Sequence, residues 1–176
     1  MRIETERLDL RSATLEDAPL LLDLFRRPEV RKYLEPSPEW TIERARQAVE
    51  YRRRLEAERG FAQLVVRTKV TGEFIGNAGL HPILGSSLIE LLYHYLPTAW
   101  GKGYGTEAAV AWLDYAFRSL RIEKVIAVCI PQNVGSWRVM EKAGMRYVGL
   151  ESFFGKHRVK KYVAERGTWA PPGRTS

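Results

Sequence analysis

The sequence predicts an α+β fold: one mixed, mostly antiparallel sheet of about seven strands flanked by about four helices. Three observations carry this. The hydrophobic period switches between 3.6 and 2 along the chain. Three strand-like segments before Pro97 follow one another through short turns, as antiparallel neighbours do. The apolar segments on either side of residues 103–119 are joined by a helical stretch, as parallel strands are.

Each element follows from its residues. RLDLRS, 7–12, alternates apolar and polar and reads as a first strand. Thr14 then caps a helix with Asp17 three residues on, and Leu20, Leu21, Leu24 and Phe25 form its apolar face. Pro28 ends this helix or bends the chain, and EPSPEW, 35–40, is a proline-rich break. Thr41 caps a second helix, running to about Arg59 with Gly60 after its end. Its apolar stripe is thin (Ile42, Ala45, Val49, Leu55), so it is expected on the surface, with Arg52, Arg53 and Arg54 on a solvated face. FAQLVVRT, 61–68, and EFIGNAGLH, 73–81, form a hairpin through KVTG. LIELLYHYL, 88–96, is a third strand. A helix over about 103–119 buries Ala109, Leu113, Ala116, Phe117 and Leu120. EKVIAVCI, 123–130, is apolar enough for an interior strand, with Cys129 a buried thiol. A short helix, 133–144, and a final strand pair, MRYVGLESFF and VKKYVAERG, complete the fold.

The chain of 176 residues suits one domain, 1–168, followed by a frayed tail, 169–176. Its net charge of +7 favours anionic ligands, acidic protein surfaces or RNA without choosing among them. One cysteine excludes an internal disulfide and a cysteine-rich metal site. The polar start, MRIETERLDLRS, is unlike a signal peptide, and no run reaches membrane-spanning length, so a cytoplasmic location is expected.

WGKGYGTEA, 100–108, carries the chemistry. Glycines there let backbone N–H groups approach an anion at a helix start. A P-loop is excluded, because Lys102 is followed by Gly103 and the spacing is wrong. A dinucleotide fingerprint is excluded, because the pattern is GxGxG at mid-chain after antiparallel strands. A coenzyme A pyrophosphate on the N–H groups of Lys102 to Thr106 remains, beside the alternative of a glycine-rich turn with no ligand.

The sequence resembles the GNAT superfamily of acyl-CoA-dependent N-acetyltransferases, and within it the RimJ and RimL type of ribosomal-protein N-terminal alanine acetyltransferase. TERLDLRSATLEDAPLLLDLF looks like that branch's opening strand and helix, and IELLYHYLP like its central strand. WGKGYGTEA looks like its pyrophosphate loop. NVGSWRVMEKAGMRYVG looks like its helix-and-strand module beside the pantetheine arm. These segments span Thr5 to Gly149 in family order. Trp100 stands where the superfamily pattern has Gln or Arg, a departure that also occurs in the RimJ and RimL branch.

The resemblance implies a GNAT fold and acetyl transfer from acetyl-CoA, as cosubstrate and without a metal, directly to an amine. It places the pantetheine arm along the backbone of roughly Tyr93 to Leu96, with Tyr95 and Leu96 among the contacts. It places the pyrophosphate on Gly101, Lys102, Gly103, Tyr104, Gly105 and Thr106, and a pantetheine amide on Asn133. Glu90 matches the branch's acidic residue and is the candidate base, and a charge inside an apolar strand needs a partner or a cleft. A structural pairing of Glu90 with an arginine, His94 as the base, or a chain of waters are the alternatives. Glu107 in the first helical turn is explained by the helix dipole alone. Met140 occupies the position where many members have a tyrosine, so Ser136 is the candidate to hydrogen-bond the departing thiolate. Helix-start capping by Asn133 and Ser136 is compatible with those roles.

Residues 14–59 and the loop HPILGSS, 81–87, would frame the acceptor cleft, with Tyr33, Trp40 and Tyr51 as lining or core. The branch implies a protein N-terminal α-amine as acceptor, and nucleic acid would enter only indirectly, through a ribosomal acceptor. A small-molecule amine (polyamine, amino acid or antibiotic type) and a non-catalytic acyl-CoA-binding module are the alternatives. A monomer or a homodimer would each fit.

Overall fold

The computed structural model describes residues 1–34, 39–153 and 157–173. It contains one eight-stranded sheet in the order β1-β2-β3-β4-β5-β6-β8-β7. The strands are β1 (Arg2–Glu4), β2 (Leu8–Arg11), β3 (Gln63–Thr68), β4 (Phe74–Pro82), β5 (Ile89–Tyr95), β6 (Lys124–Cys129), β7 (Arg146–Phe153) and β8 (His157–Glu165). Every neighbouring pair is antiparallel except β5 and β6. Five helices pack on the sheet: α1 (Ala18–Arg26), α2 (Pro28–Arg31), α3 (Ile42–Arg59), α4 (Tyr104–Arg118) and α5 (Val134–Lys142).

The extra strand is β1, which has a single apolar residue, Ile3, and so carries almost no periodic signal. Its pairing with β2 makes it a short, charged sheet edge. The extra helix is α2, one turn that begins at Pro28, where the fixed φ of proline suits the first helical position. The helix expected from Thr14 opens as a 3-10 turn, Leu15–Asp17, before α1. EPSPEW lies partly outside the described residues.

Two apolar layers sandwich the sheet. On one face, Trp112, Leu113, Ala116 and Phe117 of α4 pack on Leu8, Leu64, Val66, Ala78 and Leu91. On the other, Leu21, Leu24 and Phe25 of α1 and Ala45 and Val49 of α3 pack on Val65 and Phe74. Strand β3 is therefore buried on both sides, which its continuous run LVV requires.

Two expectations are corrected. Arg53 and Arg54 are exposed, but Arg52 is buried, so the arginine run is not one solvated face. The helical period explains this: Ala45, Val49 and Arg52 fall on one stripe, and that stripe faces the sheet. The tail is not frayed from its first residue. Trp169 donates its indole N–H to Ala143 O at 2.9 Å and packs on the Phe117 ring at 5.4 Å between centroids.

Gly76 fixes the close approach of β4 to β5. Its φ is +153°, and a Cβ there would lie 2.1 Å from His94 O. Gly76→Ala is expected to destabilise the fold by more than about 2 kcal/mol, read as a lower urea midpoint with unchanged slope.

Candidate active site

Strand β5 is the centre of the site because it leaves its neighbour. It pairs with β6 at only two rungs, Ile89↔Val125 and Glu90↔Ile126, although both strands continue. On its other edge β5 stays paired with β4 along its whole length. The Leu96 N–H donates to Ile75 O at 2.9 Å, so by strand alternation the Tyr93 and Tyr95 N–H groups turn to the opened edge. Leu96, expected among the cofactor contacts, has its backbone groups committed: its carbonyl accepts from the Ala99 N–H at 2.9 Å. Tyr95 is buried, and its carbonyl accepts the Trp100 indole N–H at 2.8 Å. Trp100 thus ties the glycine loop to the end of β5.

Glu90 sits at the last rung before the opening. It is 7% exposed, and among the described residues it has no ion-pair or hydrogen-bond partner. The alternative of a structural arginine pair is thereby removed for those residues. Burial pushes its carboxyl up to about 7. Its cross-strand partner is His81, whose Nε2 lies 3.2 Å from Tyr51 Oη of α3.

His94 shares the Glu90 face of β5 but not its chemistry. Its ring packs edge-on against Phe25 at 5.0 Å, which in turn stacks on Trp40 at 4.2 Å. Burial and the nearby Arg52 cation hold His94 down to about 3, so it stays neutral at physiological pH. Tyr33 is half-buried, with the Lys32 ammonium 4.6 Å from its ring centre.

The glycine loop runs into α4 with Gly103 as its cap, and no side chain caps the helix. The first intrahelical bond is Glu107 N–H to Gly103 O at 3.1 Å, which leaves the N–H groups of Tyr104, Gly105 and Thr106 without helical partners. Gly101 and Gly103 have φ of 74° and 81°, a region that disfavours side chains. Gly105 lets α5 approach: a Cβ there would lie 3.2 Å from Val139. Lys102 is exposed. Glu107 has a structural task, accepting from Thr5 Oγ1 at 2.5 Å, Arg7 N at 2.8 Å and Arg7 Nε at 2.6 Å. Arg7 also donates to Lys102 O at 2.9 Å, so the loop is braced from behind.

The start of α5 faces the opened edge. Asn133 caps it, with Oδ1 accepting from the Ser136 N–H at 3.2 Å. Among the described residues its side-chain N–H groups have no hydrogen-bond partner. Tyr93, whose side chain was not anticipated, reaches across from β5: its hydroxyl donates to Ser136 O at 2.9 Å and lies 3.1 Å from Ser136 Oγ. The signal was available, since Leu91, Tyr93 and Tyr95 alternate onto the α4 and α5 face, and a buried phenol needs a partner. Met140 is core. Among the described residues, no group of three or more His, Cys, Asp or Glu could hold a metal ion, and no helix is long and apolar enough to cross a membrane.

A sheet that opens at its centre, beside a glycine-capped helix, fits the acyl-CoA-dependent acyltransferase class that the sequence resembles. Residues 7–146 match the acetyltransferase (GNAT) domain, and the chain belongs to this family of acetyl-CoA-dependent N-acetyltransferases. It is 32% identical to the uncharacterized N-acetyltransferase YnaD of Bacillus subtilis, over 96% of this chain and 92% of that one. The GNAT-family acetyltransferase of Bacillus anthracis superposes with a TM-score of 0.81 at 27% identity, over 95% of this chain and 99% of that one. The ribosomal α-N-protein acetyltransferase RimL, solved in complex with coenzyme A, shares the fold with a TM-score of 0.78 at 20% identity, over 94% of this chain and 98% of that one.

Proposed function

We propose that the protein moves the acetyl group of acetyl-CoA to a primary α-amine, that of a protein or peptide N-terminus. Glu90 carries this reading: a buried carboxyl without an ion partner among the described residues, pushed by burial up to about 7, at the point where β5 opens. The likeness of sequence pattern to the RimJ and RimL branch supports the α-amine. A +7 chain does not attract polycationic polyamines.

The residues fit the cosubstrate in three places. The unpartnered N–H groups of Tyr104, Gly105 and Thr106, with the Lys102 ammonium, would hold the pyrophosphate, and Gly101 and Gly103 keep Cβ atoms out of its way. The Tyr93 and Tyr95 N–H groups and the Asn133 side-chain amide would hold the pantetheine arm. Acetyl-CoA supplies an activated acyl thioester. Glu90 accepts the proton that the attacking amine must lose, directly or through one water. Ser136 Oγ donates a hydrogen bond to the departing sulfur, and Tyr93, whose hydroxyl donates to Ser136 O, holds that residue in place.

Two measurements test the reading. Mass spectrometry of protein N-termini from cells with and without the enzyme is expected to find an acetylated terminus that depends on it. With purified protein, N-terminal peptides are expected to drive release of CoA thiol. Tight CoA binding with no turnover on any amine would leave a binding module instead.

A further inference from the structure

On the α1 and α3 face of the sheet lies a polar cluster that neither the cosubstrate contacts nor Glu90 uses. Arg52, 7% exposed, points from α3 to the sheet and donates from Nη2 to Gln63 Oε1 at 3.0 Å. The same oxygen accepts from Asn77 Nδ2 at 2.6 Å. Asn77 is the cross-strand partner of His94. Three buried atoms in this cluster have no hydrogen-bond partner among the described residues: Arg52 Nη1, Asn77 Oδ1 and His94 Nδ1. No carboxylate of the described residues pairs with Arg52 either, and burial holds the guanidinium down to about 10.

A buried guanidinium without an anion costs stability, and a well-placed, hydrogen-bonded anion offsets part of that cost. Among the described residues no acid supplies one. Asp17 is taken by Arg11 at 2.8 Å, Glu107 by Arg7, and Glu90 stands apart. His94 does not add a competing positive charge, because burial, and after it the Arg52 cation, disfavours its protonation. The cluster also lies on the face of β5 that carries Glu90.

We propose that Arg52 recognises a carboxylate carried by the acceptor amine, with Asn77 Oδ1 accepting an N–H of the same molecule. This rests on the reading of the protein as an amine acetyltransferase. The carboxylate is that of a free amino acid or that of an acidic residue at the start of a peptide. Both present an anion that a planar guanidinium can bind through two N–H groups.

The test uses matched acceptors, each a carboxylate and its carboxamide twin: an amino acid against its amide, and a peptide beginning with Glu against one beginning with Gln. Release of CoA thiol gives kcat/KM for each. Wild type is expected to prefer the acid twin by about tenfold or more in at least one pair, and the pair that shows it identifies the source. Arg52→Gln is expected to bring that ratio close to one, chiefly through KM. Equal use of both twins by wild type, or full retention of the preference in Arg52→Gln, overturns the proposal while leaving acetyl transfer intact. Absence of turnover with every amine overturns the acetyltransferase reading and this one together. If Arg52→Gln does not fold, the wild-type ratio decides alone.

Discussion

Glu90→Gln is expected to lower kcat/KM by about 10²- to 10⁴-fold, the usual contribution of a positioned general base. The pH dependence gives the sharper test. Burial raises the carboxyl to about 7, so the wild-type rate climbs as pH rises through 7 and the carboxylate forms. The acceptor amine must also lose a proton, and its limb lies higher, near 8 for an α-amine. Acceptors of different amine pKa separate the two: the amine limb moves with the acceptor, and the Glu90 limb stays. Glu90→Gln removes only the fixed limb. A variant that keeps that limb at full rate would end the assignment of Glu90 as base.

The same burial makes a prediction about stability. The folded carboxyl holds its proton up to about 7, whereas an ordinary one releases it at 4.5. Between those values the native state binds more protons than the unfolded chain, so stability falls as pH rises through this window. The total loss is up to about 3 kcal/mol above pH 7, and Gln carries none of it. Glu90→Gln is therefore expected to be more stable than wild type at pH 8 and nearly equal at pH 4.5. Gain of stability with loss of activity marks a residue retained for function.

These effects trace to a residue whose oddity was visible in the sequence. A glutamate in LIELLYHYL breaks an apolar strand, and the family resemblance, with Met140 in place of a tyrosine, directs attention to Ser136. The hairpin through KVTG, the helix from Thr41 to Gly60 and the glycine loop were legible for the same reason: each is written in neighbouring residues. What spacing could not show is non-local. The departure of β5 from β6 after Glu90 depends on which strands pair and for how long. The burial of Arg52 lay within reach, since it falls three residues after Val49 on the inward stripe, but its charge masked its position. The bond from Tyr93 to Ser136 joins two segments 43 residues apart, and only the fold brings them together.

That bond sets the second large effect. A thiolate leaving beside Ser136 Oγ gains a hydrogen bond that the thioester does not need, so the interaction acts on the transition state rather than on binding. Hydrogen bonds to charged groups contribute about 1.5–3 kcal/mol, so Ser136→Ala is expected to lower kcat by about 10- to 100-fold with KM little changed. Tyr93 acts through Ser136. Burial, chiefly, drives its hydroxyl pKa far above the ordinary value, so it remains a protonated donor, holding Ser136 O at 2.9 Å and lying 3.1 Å from Oγ. Tyr93→Phe is expected to reduce kcat less than Ser136→Ala does, and to cost little in the Ser136→Ala background, because the group it orients is already gone. Additive losses would mean that Tyr93 only packs. Acetyl thioesters of lower-pKa thiols supply an independent check: their thiolates leave with less need of the hydrogen bond, so the Ser136→Ala defect is expected to shrink as leaving-group pKa falls. A defect constant across such donors would remove Ser136 from the leaving-group role.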